Sequence, residues 1–122
     1  MLTLYTFGDS ILDCGWYNEY CVTPGQLLVK NDDALFREFE GRDLASRGPA
    51  RLEHRAVDGA TVAGLPAQVR NLSVNADGDS VAIVTIGGND LLQGLILDRG
   101  PGIDAFASAL ENVVRELPIR PV

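Results

Sequence analysis

Cysteine is scarce in this chain. Cys14 and Cys21 are two thiols in 122 residues, too few for a disulfide-dense framework. Their separation matches no zinc knuckle, and a structural zinc needs four ligands, so two reduced thiols is the plain reading, with pairing left open. Histidine is scarcer still, with His54 alone. No apolar run approaches the ~20 residues that cross a bilayer, so no membrane span is expected. No signal-peptide pattern follows Met1, which leads straight into Leu2-Thr3-Leu4-Tyr5-Thr6-Phe7, and the expectation is a cytoplasmic chain. Basic residues number 10 against 17 acidic ones, a formal charge of −7. With no basic stripe to release counterions from a duplex, nucleic acid is excluded as a partner. No Gly-x-x-x-x-Gly-Lys-Ser/Thr segment exists to cradle phosphates, and no cofactor is expected. Asp9, Asp13 and Asp90 are too scattered to argue for magnesium. Internal repeats and low-complexity tracts are absent as well.

What remains is ordinary globular material: 46% hydrophobic and 22% charged residues, enough for one domain over residues 1–122. Three segments read as strands. Leu2–Phe7 stops at Gly8-Asp9. Val81–Ile86, a near-continuous apolar run ended by Gly87-Gly88, suits a strand covered on both faces. Leu52–Val57 alternates and is more polar, as an edge strand should be, and stops at Asp58-Gly59. Helical patterns fall between them. Asp32 or Asp33 can cap a helix carrying Leu35, Phe36 and Phe39 that Gly41 ends. Val62, Leu65, Val69 and Leu72 step at helical spacing, provided that Pro66 lies in the first turn. Ile103, Phe106, Ala107, Leu110, Val113, Val114 and Leu117 form the clearest stripe, with Asp104 near its start and Pro118 as its stop. Gly8–Asn31 reads as a functional loop with a short helix inside it, and Gln93–Gly102 as an extended loop.

Strand and helix alternate, which predicts an α/β fold: an open, three-layer, flavodoxin-like parallel sheet with right-handed crossovers. Ile119-Arg120-Pro121-Val122 reads as the start of a fourth strand. The expectation is therefore a domain truncated after the third strand and its helix, incomplete at the C-terminus. Its bare sheet edge would favour self-association.

Ligands of such sheets bind outside the carboxyl ends of the strands. Three turns fall there: Gly8-Asp9-Ser10, Asp58-Gly59-Ala60-Thr61 and Gly87-Gly88-Asn89-Asp90. A strand order of 2-1-3 would bring all three to one rim. Phe7-Gly8-Asp9-Ser10-Ile11-Leu12-Asp13 resembles the first sequence block of the GDSL, or SGNH, hydrolases. Gly59, in Val57-Asp58-Gly59-Ala60-Thr61, fits the second-block glycine, and Gly87-Gly88-Asn89-Asp90 fits the Gly-x-Asn-Asp of the third. The resemblance covers nearly the whole chain in order and spacing.

The resemblance implies a serine esterase, or acylhydrolase, acting on a small-molecule ester. Ser10 would be the nucleophile that forms an acyl-enzyme. The backbone N–H groups of Ser10 and Gly59 and the Asn89 side chain would bind the oxyanion. Asp9, Asp13 and Asp90 read as side chains that fix their turns. Plainer readings stand beside these: Ser10 as a helix N-cap, Asn89-Asp90 as the cap of a helix beginning at Leu91, and Gly59 as a turn glycine. Trp16, Tyr17 and Tyr20 either line a pocket or pack the loop onto the domain. The family's Asp-x-x-His, whose histidine is the general base, is missing from the 122 residues. His54 is expected inside the second strand, out of reach of Ser10. The 122 residues alone are thus expected to be nearly inactive, and the alternative is a non-catalytic module that recognises an ester or glycan.

Overall fold

In the computed structural model, which describes residues 1–74, 78–97 and 102–119, strand β1 (Leu2–Gly8) is the centre of a parallel sheet. It is flanked by β2 (Ala50–His54) and β3 (Ser80–Thr85) in the order β2-β1-β3. Thr6 pairs with His54, and Gly8 with Thr85. Among the described residues four α-helices accompany the strands: α1 (Pro24–Val29), α2 (Leu65–Val69), α3 (Gly88–Leu97) and α4 (Ile103–Glu116). The α/β parallel architecture is the one the sequence predicts, and the strand order is the 2-1-3 that the sequence reading assumes from doubly wound folds.

Pleating divides β1 between two layers. Tyr5 and Phe7 are buried on one face with Val62, Leu65 and Val113, and their rings stack at 6.1 Å. Burial of such side chains is worth about 1.5–3 kcal/mol each. The apolar stripe of α4, with Phe106, Leu110 and Leu117, packs onto this cluster. Helix α1 packs on β1 and β2. The buried threonines of β1 are satisfied sideways by the polar edge strand: Arg51 Nε donates to Thr3 Oγ1 at 3.0 Å, and Thr6 Oγ1 lies 2.7 Å from His54 Nδ1. That pairing explains how an alternating, polar β2 can adjoin a fully buried strand.

Helix α1 lies inside the Gly8–Asn31 segment and carries a capping box. Thr23 Oγ1 accepts from Gln26 N at 3.4 Å, and Gln26 Oε1 accepts from Thr23 N at 2.8 Å. The Val62–Leu72 pattern resolves into a 3-10 turn, Val62–Gly64, followed by α2, with Pro66 in the first turn as required.

Strands β1 and β3 differ from the sequence reading by a single residue at their ends, and three other segments differ by more. Strand β2 is assigned over Ala50–His54 rather than Leu52–Val57, although Arg55 N and Val57 N still donate to Thr6 O and Gly8 O. Gln93–Leu97, expected in a loop, continues α3; the remainder of that segment up to Pro101 lies outside the described residues, as does the expected fourth strand beyond Ile119. The helix expected after Asp32 is instead a turn and a short 3-10 segment, Arg37–Phe39. Asp32 does cap, accepting from Ala34 N and Leu35 N. However, Asn31 Nδ2 donates to Phe36 O at 2.9 Å, and Glu40 N bonds to Arg37 O instead of to that carbonyl. A side chain thus occupies the acceptor that an α-helix would have used.

The same loop is anchored by Asp43, whose side chain is almost wholly buried. It accepts from the Ser46 hydroxyl, from Asn31 N at 2.8 Å and from Ser46 N, and pairs with Lys30 at 3.3 Å. These donors, the Ser46 hydroxyl foremost, hold its carboxyl well below the ordinary carboxylate range. A folded-state value below the unfolded one stabilises the fold above about pH 4 and is lost progressively as the pH falls. Denaturant midpoints measured from pH 7 to pH 2 should therefore drop in acid, and Asp43→Asn should flatten that drop while lowering the midpoint at pH 7.

Candidate active site

The three strand-end turns meet at one rim, and each contains a glycine in the left-handed region: Gly8 at φ 123°, Gly59 at φ 81° and Gly87 at φ 117°. The first turn is organised by the buried Asp9. Its carboxylate Oδ1 accepts from Ile11 N and from Thr85 Oγ1, both at 3.1 Å, and its carbonyl accepts from Leu12 N and Asp13 N. Asp9, not Ser10, therefore bonds the backbone of this turn, which no α-helix continues, and Ser10 stands half-buried at the bend.

Hydrogen bonds tie the turns to one another. Asp9 N donates to Thr85 O at 3.0 Å, which joins the first turn to β3. Asn89, in the first turn of α3, donates from Nδ2 to Ala60 O at 2.9 Å. Both carboxylate oxygens of Asp90 face Val62 N, at 3.2 and 3.0 Å, fastening the third turn to the second. The Asn89 side chain accordingly lies beside the backbone that follows Gly59. An amide nitrogen has two hydrogens, so this bond to Ala60 leaves Nδ2 with a second one to donate. Gly59 is exposed, with open space on the side where a Cβ would sit. No hydrogen bond joins Ser10, Gly59 and Asn89 directly among the described residues; their turns are brought together through Asp9, Ala60 and Asp90.

All three aspartates read from the sequence as local turn fixers act at longer range, Asp9 through Thr85 while it also holds its own turn. Asp90 reaches the second turn, as above. Asp13 accepts from Asp58 N at 2.8 Å through Oδ2, and its Oδ1 lies 3.2 Å from His54 Nε2. His54 is the last residue of β2 rather than inside the strand, and its side chain meets Thr6 and Asp13, in the segment just past Ser10. Both ring nitrogens are engaged there, Nδ1 with Thr6 Oγ1 and Nε2 with Asp13.

One further participant, Gln68, carries no signal in the sequence, and Tyr17 has a partner that the sequence does not show. Gln68 is buried and brackets the residue at the end of β1: Gly8 N donates to its Oε1 at 2.7 Å, and its Nε2 donates to Gly8 O at 2.9 Å. Nothing in the local pattern marks that glutamine. Tyr17 donates its hydroxyl to Asp58 Oδ2, and this bond raises the phenol above its ordinary value of 10. The aromatic group does not pack the loop onto the domain: Trp16 is 91% exposed, Tyr17 67% and Tyr20 50%. Cys14 and Cys21 are free thiols.

Two hollows adjoin the turns. An open depression of about 650 Å³ runs along His54–Ala60 to Gly64, Ala67 and Gln68. A mainly apolar cavity of about 360 Å³, lined by Ile86, Gly87, Asp90, Leu91, Ile103 and Phe106 among others, lies beside the third turn. Among the described residues, no helix is long and apolar enough to cross a membrane.

No curated protein matches the chain. Among solved structures, an acetyl xylan esterase from Geobacillus stearothermophilus is similar with a TM-score of 0.62 and 23% identity, over 95% of this chain and 54% of that one. A protein from Parabacteroides merdae described as a GDSL-like lipase is similar with a TM-score of 0.57 and 23% identity, over 93% of this chain and 51% of that one. Both likenesses concern the fold, and the chain spans about half the length of either structure. The sequence model of the GDSL-like lipase/acylhydrolase family matches residues 6–120. The chain belongs to that family.

Proposed function

We propose that this chain carries the nucleophile and the oxyanion donors of a serine esterase acting on a small-molecule carboxylic ester. The observation that carries the reading is the Asn89 amide held beside the Gly59 turn at the rim where β1 delivers Ser10. In this reading Ser10 Oγ loses its proton to hydroxide and attacks the ester carbonyl, and the carbonyl oxygen becomes an oxyanion. Ser10 N–H, Gly59 N–H and the second Asn89 hydrogen bind that oxyanion. It collapses with loss of the alcohol, and water then releases the acid from the acyl-serine. The apolar cavity beside the third turn offers room for one side of the ester.

Within the 122 residues the proton lacks a histidine acceptor. His54 is the only histidine, and both its nitrogens already have partners. Turnover by this chain is therefore slow and depends on hydroxide, because a serine without its base loses several orders of magnitude in rate. The test is hydrolysis of p-nitrophenyl acetate, together with fluorophosphonate labelling, for the chain and for Ser10→Ala. The Ser10-dependent rate should climb steadily with pH and show no plateau near neutrality, where a histidine base would give one. Equal rates for the two proteins at every pH, with no label on Ser10, would reject the esterase. That result would favour the non-catalytic module that binds an ester or glycan.

A further inference from the structure

We infer that Asp13, held in place by His54, is the residue that positions the Gly59 turn against the Ser10 turn. The inference rests on the esterase reading for its catalytic consequence, but its geometry stands on its own. Asp13 lies three residues after Ser10, and Asp58 immediately precedes Gly59. One carboxylate oxygen of Asp13 accepts from Asp58 N at 2.8 Å, and the other lies 3.2 Å from His54 Nε2.

The imidazole is anchored in turn. Its Nδ1 lies 2.7 Å from the hydroxyl of Thr6, a fully buried residue of the central strand. A carboxylate only accepts, so the Nε2 facing Asp13 carries a hydrogen, and in the neutral ring Nδ1 then accepts from the Thr6 hydroxyl. The sheet thus fixes the imidazole, the imidazole fixes the carboxylate, and the carboxylate fixes the backbone N–H of Asp58. A second hold comes from the same segment, because Tyr17 donates to the Asp58 carboxylate. Asp58 is gripped at its backbone and its side chain by two residues more than forty positions away in sequence.

The direction of the Gly59 N–H is set by the Asp58–Gly59 peptide, at the centre of a turn that Ala60 N closes onto Val57 O at 3.1 Å, while Gly59 itself is exposed with open space where a Cβ would sit. A glycine at φ 81° has other backbone conformations open to it, and beside the single turn bond from Ala60 N the Asp13 carboxylate adds a second hold on the peptide that carries the Gly59 N–H. A donor must stand within a few tenths of an ångström of the oxyanion position before the reaction begins, and a misplacement of 1 Å costs about a hundredfold in rate. Asp13 and His54 therefore act on the reaction without touching the substrate.

The test compares Asp13→Ala, His54→Leu, His54→Gln and Tyr17→Phe with the natural chain. Gln can present its amide N–H to Asp13 in place of Nε2–H, whereas Leu cannot. Amide hydrogen exchange should show Asp58 exchanging at least about tenfold faster in Asp13→Ala and His54→Leu, and within about threefold of the natural rate in His54→Gln. Tyr17→Phe removes a single exposed hydroxyl, so it folds as the parent does, and its effect should be confined to a few-fold loosening at Asp58 and Gly59. Ser10-dependent kcat should fall by about a hundredfold in Asp13→Ala and His54→Leu with KM little changed, and His54→Gln should recover most of it. Unchanged Asp58 exchange in Asp13→Ala, or His54→Gln behaving like His54→Leu, would overturn the clamp. Normal kcat beside loosened exchange would overturn its catalytic role. Absence of Ser10-dependent turnover in the natural chain would reject the esterase instead, and the exchange measurements would still decide the clamp.

Discussion

Gly8→Ala leaves the chain unfolded. At φ 123° the Cβ of an L-residue is already strained, and here it would lie 1.8 Å from Thr85 O and 2.7 Å from Thr85 C. Neither atom belongs to a flexible side chain; both are backbone of β3, held in register by the pairing of Gly8 with Thr85. Gly8 cannot rotate away, because Gln68 bonds both its N–H and its carbonyl, and Val57 N also donates to that carbonyl. Relief would require separating β1 from β3 at the site end and exposing buried polar groups at about 1–3 kcal/mol each. Added to the clash, that consumes a total stability of about 5–15 kcal/mol, of which a domain this small has the lower part. Circular dichroism and an amide correlation spectrum should show the loss directly. Gly64→Ala provides the contrast, since a Cβ there meets nothing within 4 Å. It should melt close to the parent. A Gly8→Ala variant that melts within a few degrees of the parent would mean that the β1–β3 junction yields far more easily than its bonds indicate.

The contrast between Gly8 and Gln68 shows what could be read from the chain in advance. Leu2–Phe7 and Val81–Ile86 were visible as strands because a parallel strand covered on both faces must be apolar along its length, and α4 because a helix on one side of a sheet needs one stripe. Gly8, Gly59 and Gly87 were visible because a strand that stops against a site needs a residue free to turn. Those signals are local. Thr23-x-x-Gln26 after a proline-compatible start was equally local and would have located α1 at Pro24–Val29. What stayed hidden depends on partners distant in sequence. Gln68 looks like a surface residue of a short helix until Gly8 is placed beside it. Asn31 breaks the expected helix after Asp32 only because the loop folds back on Asp43. The alternating pattern of Leu52–Val57 suffices to place His54 on an edge strand, yet its reach to Asp13 follows from the path of the chain after Ser10, which no periodicity encodes.

Asn89→Ala should slow fluorophosphonate labelling of Ser10 by about 10²–10³-fold, the loss typical of one oxyanion donor, or about 2.7–4 kcal/mol of barrier. Labelling is the better readout here than turnover, because phosphonylation builds negative charge on an oxygen in the same place and needs no deacylation. The substitution also removes the bond to Ala60 O, so a structural contribution has to be separated from the chemical one. Asp90 provides the separation. Its carboxylate faces Val62 N and fastens the same two turns without presenting a donor to the substrate. Asp90→Ala should therefore lower the melting temperature more than Asn89→Ala does, since it strands a buried N–H, and should slow labelling less. Asn89→Asp sharpens the comparison further: it keeps the size of the side chain but replaces a donor by a carboxylate that faces the Ala60 carbonyl and repels the developing oxyanion. Its labelling rate should fall at least as far as that of Asn89→Ala. Equal labelling in the parent and in Asn89→Ala would remove the amide from the oxyanion site and leave it a turn-to-turn strut.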